Sequence, residues 1–224
     1  MSRQFVIVGL GRLGIAMVGT LHSLGHDVLG IDTRDDVIQD LADDLPNAHL
    51  VAADATDEEV LRGLNVEGFD SAAVVIGENH VEAGILATTN LKEIGVPWIV
   101  ARATSKVHAR VLERVGADRV IQPEREMGEQ VARTMASPAV LDYVDLGGDE
   151  AVIEASVPAG WVGKSLTQLG LSRKMGLTVL ALKPQDGAGS IPRGETVLRE
   201  GDVLVVGGSR EDLDRSELFR HGER

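Results

Sequence analysis

The 224-residue chain is 43% hydrophobic and 25% charged, carries a net charge of −13 and contains no cysteine. Such a composition suits a globular core, in one large domain or an ordinary domain with a small companion, and it excludes a disulfide framework and thiolate chemistry. The acidity argues against a nucleic-acid groove or a polybasic membrane patch, so no nucleic-acid partner is expected, while docking onto a basic protein surface stays open.

The first strand, QFVIV (4–8), starts so early that it leaves no room for a secretory leader. Leu13, Ala16, Met17, Leu21 and Leu24 then recur at helical spacing. DVLGI (27–31) is a second strand, and Val37, Ile38, Leu41 and Leu45 mark a second helix. AHLVAA (48–53) follows, and Thr56 with Glu59 has the spacing of a capping box, which predicts a helix starting there. The series continues with strand SAAVVI (71–76), a helix from Glu78 to Ile94 and strand WIVA (98–101). It closes with a helix through Val107, Val111, Leu112 and Val115 that stops at Gly116, and strand RVIQ (119–122). Strands alternating with helices predict a parallel sheet covered on both faces, because parallel strands need crossover connections.

Beyond Pro123 the pattern changes. EREMGEQVARTMAS (124–137) predicts one more helix, ended by Pro138, and DLGGDE (145–150) looks like a boundary. Strands are expected at 151–157, 177–183, 196–200 and 202–208, the last two joined by a tight turn at Glu200-Gly201-Asp202. KSLTQLGL (164–171) and SREDLDRSELF (209–219) are helix candidates. The fold class is therefore α/β, a Rossmann-like doubly wound parallel sheet with a crossover helix and a small α+β C-terminal domain. No apolar run approaches the ~18 residues that span a bilayer, so a cytoplasmic protein is expected.

GLGRLG (9–14) has the G-x-G-x-x-G form at Gly9, Gly11 and Gly14. It follows a strand, opens a helix and is answered by Asp32 at the end of the second strand, the context that marks a dinucleotide fingerprint. Gly9 permits the tight turn, Gly11 lets backbone approach a pyrophosphate, and Gly14 lets the helix pack on the sheet. The helix N-terminus offers N–H groups and a positive dipole to an anion. Asp32 can accept both hydroxyls of an adenine ribose and would repel a 2′-phosphate, which disfavours NADP. Arg12, inside the turn, adds a charge-assisted phosphate contact, or else is a solvated arginine at a helix start.

A dehydrogenase needs a proton donor or acceptor beside its nicotinamide. Of the six histidines, only His221 lies beyond the first domain, in a polar tail. No metal-ligand spacing and no G-x-S-x-G elbow occurs. The small C-terminal domain reads as a binding module or a dimerisation unit. An NAD-dependent oxidoreductase is the alternative function, and the missing acid–base residue counts against it. A DNA-binding repressor would need a basic helix-turn-helix, which is absent.

GLGRLG (9–14), Asp32, ADATDE (53–58), RATSKVHARVLERVGADRVIQPEREMGEQVA (102–132) and VLDYVDL (140–146) together resemble the RCK family, the cytosolic regulatory subunits of Trk and Ktr potassium-uptake systems. One copy of the unit, rather than two in tandem, is similar to the Ktr type. The resemblance implies residues 1–136 as a nucleotide-binding domain with a dimerisation helix, and 137–224 as a C-terminal ligand-binding or dimerisation domain. It implies no catalysis, dimers formed through the helix after QPE, and an octameric ring. That ring would sit peripherally at the inner face of the cell membrane, under a KtrB- or TrkH-like potassium-translocating subunit. ATP would favour the conducting state and ADP the inactive one, with NAD and NADH using the same cleft. The implied nucleotide contacts are Gly9, Gly11, Arg12, Leu13, Gly14, Asp32, Thr33, Arg34, Asp54, Ala55, Ile76, Gly77, Glu78, Arg102, Ala103, Thr104, His108 and Glu124. Arg12 resembles the residue that reaches the γ-phosphate, and Glu124 resembles a ligand for a divalent cation, Mg or Ca, between paired nucleotides. Read alone, His108 is either a contact or a solvated helix histidine, and Glu124 either a ligand or a helix N-terminal acid. Many C-terminal domains of the family bind cyclic di-AMP through an arginine after the short helix. Here Ser172 stands at that position and Arg173 one later, a departure from the pattern.

Overall fold

A computed structural model describes residues 2–45 and 48–219, so His221 lies outside the described residues. The chain divides into two compact units, Met1–Pro123 and Glu124–Arg224.

The first unit alternates strand and helix in the order β1 (Gln4–Val8), α1 (Arg12–Ser23), β2 (Asp27–Asp32), α2 (Asp35–Asp44), β3 (His49–Ala52) and α3 (Glu58–Gly63). It continues with β4 (Ser71–Val74), α4 (Val81–Ile94), β5 (Ile99–Arg102), α5 (Lys106–Arg114) and β6 (Arg119–Ile121). The sheet order is β3-β2-β1-β4-β5-β6, and every pairing is parallel. Side chains alternate across the sheet, so each β1 residue serves one of two cores. Val6 and Val8 pack with Leu61 and Leu91 under α3 and α4. Ile7 packs with Val18 and Leu41 under α1 and α2. Burying a leucine such as Leu91 completely contributes ~1.5–3 kcal/mol, and truncating it to alanine costs ~2–5 kcal/mol because a cavity is added.

Two helix starts differ from the sequence expectation. α3 is capped by Asp57, whose Oδ1 accepts from the Glu59 and Val60 N–H groups at 2.9 and 3.4 Å. Thr56 is not the cap, because it stands two residues before Glu58, and its hydroxyl donates to Asp54 Oδ1 at 2.8 Å. The helix expected from Glu78 begins as a 3₁₀ turn, Glu78–His80, before α4 proper.

In the second unit α6 (Pro123–Ala136) precedes β7 (Val140–Gly147), β8 (Glu150–Ser156), α7 (Leu166–Leu169), α8 (Leu171–Met175), β9 (Thr178–Lys183), β10 (Val203–Ser209) and α9 (Arg210–Arg215). The antiparallel sheet has the order β7-β8-β10-β9. Ile153, Trp161, Leu177, Leu198, Leu204 and Leu213 fill its core.

Four readings are corrected here. The stretch at 145–150 is no boundary but a hairpin, turned by Gly147 and Gly148 at φ +86° and +64°. The 196–200 stretch is not a strand beside β10, because β8 and β9 already occupy both edges of β10. It lies instead against 163–166, joined by one bridge, Ser165 to Val197, and by Leu198 N–H donating to Lys164 O. The expected helix at 164–171 is broken by Gly170 at φ +63°, which separates α7 from α8. The last helix stops at Arg215, short of the expected 219.

Candidate functional site

The sheet order reverses between β1 and β4, and open α/β sheets bind ligands at the strand C-termini of such a switch point. A cleft of about 780 Å³ opens there. Gly9 leaves β1 at φ +97°, and a Cβ on it would lie 2.9 Å from Ile76 N. A Cβ on Gly14 would lie 2.0 Å from Gly9 O, so only glycine lets α1 approach the turn this closely. Gly11 is the N-cap of α1, and nothing lies within 4 Å of where its Cβ would be. No side chain caps α1 and no acid occupies its first turn, whereas α3 and α5 are capped by Asp57 and Ser105. The open helix start and the empty cradle over Gly11 suit a phosphate group.

Asp32 faces this start from the end of β2 and is 9% exposed. Its Oδ2 accepts from Leu10 N–H at 2.7 Å and Arg34 Nη2 at 3.1 Å. Its Oδ1 accepts from Arg34 N–H at 3.1 Å and Arg34 Nε at 3.0 Å. Burial alone would push the carboxyl pKa up; the Arg34 fork and the two backbone donors outweigh it and hold the group below the usual aspartate range.

Gly9, Gly11, Asp32, Thr33, Arg34, Asp54, Ala55, Ile76 and Gly77 line this one cleft. Asp54 turns inward on its own loop, its Oδ1 accepting from the N–H and hydroxyl of Thr56. The remaining expected residues are not in the cleft wall. Arg12 is exposed on the first turn of α1, Leu13 packs partly into the core beneath it, and Glu78 is exposed on the 3₁₀ turn. Arg102 ends β5, with Nη1 donating to Ile76 O at 3.5 Å, and Ala103 is buried. His108 is buried, and its Nδ1 accepts from Thr104 N–H at 3.2 Å, which places the ring proton on Nε2. Burial pushes its pKa down, so the ring is neutral, and the reading as a solvated histidine does not hold. Glu124 lies in the first turn of α6 and belongs to the second unit, and Arg173 is exposed on α8. Among the described residues no three His, Asp or Glu side chains group as a metal site.

The wall also includes Thr56, Asn79, His80, Val81, Glu82, Ala83 and Leu86, which sequence reasoning missed. All but Thr56 sit on the 3₁₀ turn and the start of α4, where the chain crosses the mouth of the cleft. The only signal in the sequence was the polar stretch GENH (77–80) after an apolar strand.

Fold and cleft together define a Rossmann-type nucleotide-binding domain followed by a small antiparallel module. Residues 5–123 match the TrkA-N domain and residues 152–219 the TrkA-C domain. The chain is 36% identical over 216 residues to the Ktr system potassium uptake protein A of Bacillus subtilis, covering 96% of both chains. It is 36% identical to the protein of the same name from Vibrio alginolyticus, covering 95% of both. The chain belongs to the RCK family of TrkA- and KtrA-type potassium uptake proteins. The fold also matches the GsuK channel bound to NAD, with a TM-score of 0.71 and 21% identity over 99% of this chain. This chain spans 40% of that channel's length.

Proposed function

We propose that this chain is a nucleotide-sensing regulatory subunit that gates a membrane potassium-translocating protein of the KtrB or TrkH kind. The observation that carries the reading is the uncapped start of α1 beside Asp32 in one cleft of about 780 Å³. ATP and ADP occupy that cleft, phosphates on the α1 N-terminus and adenine ribose on Asp32, and NAD or NADH uses it in the same way. The NAD-bound GsuK structure and an ADP-bound one, with a TM-score of 0.53 over 62% of this chain, support this use of the fold.

Residues 1–136 serve as the nucleotide-binding part with its dimerisation helix, and 137–224 as the C-terminal module. Dimers join through α6 and assemble into an octameric ring at the cytoplasmic face of the membrane. No helix among the described residues is long and apolar enough to cross a membrane, so attachment runs through the translocating partner. Arg12, Glu78, Arg102, Thr104, His108 and Glu124 complete the site as the ring assembles. Glu124 supplies one carboxylate to a divalent cation, Mg or Ca, with phosphate oxygens as its other ligands, since both are hard cations that take oxygen. Cyclic di-AMP, if it binds the C-terminal module, meets Arg173. The subunit performs no chemistry: it converts the ATP-to-ADP ratio into a choice between two ring states.

The test is calorimetric titration of the purified protein with ATP, ADP and NAD, the mass of the assembly being measured in the same samples. Asp32→Ala should weaken all three measurably, by less than the ~1.5–3 kcal/mol of a hydrogen bond to a charged group, because the carboxylate already holds Arg34. Unchanged affinities in that variant would remove Asp32 from the site.

A further inference from the structure

Asp32 is fully occupied before any nucleotide arrives. A carboxylate offers about four lone-pair positions. Here four donors use them, two on each oxygen: Leu10 N–H and Arg34 Nη2 on Oδ2, Arg34 N–H and Arg34 Nε on Oδ1. Leu10 N–H and Arg34 N–H are main-chain donors held by the turns after β1 and β2. The other two form the fork of a single guanidinium, on a side chain 55% exposed at the cleft wall.

We infer that Arg34 is a displaceable latch on the ribose position, so that a nucleotide reaches Asp32 only by exchanging its 2′,3′-diol for the Arg34 guanidinium. This rests on the reading that the cleft holds a nucleotide. The exchange is bond-neutral: two N–H donors leave and two O–H donors replace them. The ribose therefore contributes only the difference between the two arrangements, and apparent affinity falls by the fraction of molecules still latched. A released guanidinium stays among acids, because Asp35 and Asp36 open α2 next to it in sequence. Displacement from Asp32 therefore leaves the guanidinium with acids nearby, and the sugar is what displaces it. A nucleotide without the diol has nothing to offer Asp32 and leaves the latch closed.

The experiment titrates the full-length wild type, Arg34→Ala and Arg34→Gln with ATP and with 2′,3′-dideoxy-ATP, each protein first checked for cooperative melting. Removing the latch should tighten ATP by about 3- to 5-fold, the upper range for an exposed ion pair, and leave dideoxy-ATP within about twofold of the wild type. Arg34→Gln lacks the charged fork but keeps most of the side-chain length, so it should follow Arg34→Ala and keep the test valid if the alanine variant folds poorly. ATP affinity that is unchanged or weaker in both variants, or an equal gain by both ligands, overturns the latch while the nucleotide site stands. If the wild type and both variants bind neither ATP, ADP nor NAD, the nucleotide reading falls and the latch falls with it.

Discussion

At the scale of single residues the site turns on charges whose partners differ. Arg12 is exposed on the first turn of α1, where the helix dipole disfavours a cation, and no ion pair holds it among the described residues. The γ-phosphate of ATP at that helix start would supply the missing partner, and ADP lacks it. Arg12→Ala should therefore leave ADP binding within a few-fold and blunt the effect of ATP. Arg12→Lys should rescue poorly, because a point charge cannot copy a bidentate fork. Potassium flux through the reconstituted transporter, measured with each nucleotide, decides it: a full ATP-over-ADP difference in Arg12→Ala would rule out this role. Allosteric coupling of this kind is usually ~1–3 kcal/mol, enough for the difference to be visible.

His108 makes a second prediction at this scale. Its folded-state pKa lies below the ordinary 6.5 because the ring is buried. As pH falls through that value, the unfolded chain takes up a proton that the folded ring resists, so stability is complete above 6.5 and declines on acidification. Asn at this position keeps an acceptor for Thr104 N–H and removes the titration. The loss of melting temperature between about pH 7 and pH 5 should be smaller in His108→Asn than in the wild type. Parallel curves would show that other groups set the acid response. Asp32 works in the same direction at lower pH: its depressed pKa stabilises the fold above about 4, and that contribution is lost as the carboxyl protonates.

A helix start is either capped by a side chain or left open, and α3 and α1 show the two cases. Asp57→Ala should cost ~1 kcal/mol in denaturant unfolding by removing the α3 cap. Thr56→Ala should cost less, because the Thr56 hydroxyl serves Asp54 and not the helix. The reverse order of the two would restore the Thr56 cap. Gly14→Ala tests the other helix. Its methyl would meet Gly9 O at 2.0 Å, so α1 must move off the turn, at a cost of at least ~1–3 kcal/mol. Loss of nucleotide binding should accompany that cost, because the phosphate cradle moves with the helix. A variant with wild-type stability would mean that the close contact relaxes freely.

For the whole molecule the telling feature is α6. Met127, Val131 and Met135 lie one helical turn apart on one stripe and are 57%, 46% and 78% exposed. Contiguous exposed apolar side chains are what protein–protein contacts cover. If α6 joins protomers in the ring, Val131→Asp should reduce the assembly to smaller species, read as mass by light scattering, with each nucleotide cleft still folded. An unchanged mass would assign the contact elsewhere.

The sequence by itself determined the elements whose signal is local and periodic. The alternation of QFVIV, DVLGI and SAAVVI with helical stripes dictates a parallel sheet, since strands buried on both faces must be apolar throughout. Gly9, Gly14 and Asp32 were legible because a tight turn, a close helix packing and an acid facing the turn each fall at a fixed spacing in the fingerprint. Tertiary structure alone decided what depends on a competing partner. Whether 196–200 could pair with β10 rested on which edges of β10 were free, and none was. β7 hid its strand character because register shifts near Val140 and Asp145 break the period of two, leaving Val140 and Tyr143 as its buried pair. The cap of α3 depended on the helix starting at Glu58, which puts Asp57 and not Thr56 at the cap position. His80 and Glu82 entered the cleft wall through a 3₁₀ turn that no periodicity announces. Asp32 was readable as the acid of the site, but its four donors converge from separate turns, and that geometry exists only once β1 and β2 lie side by side.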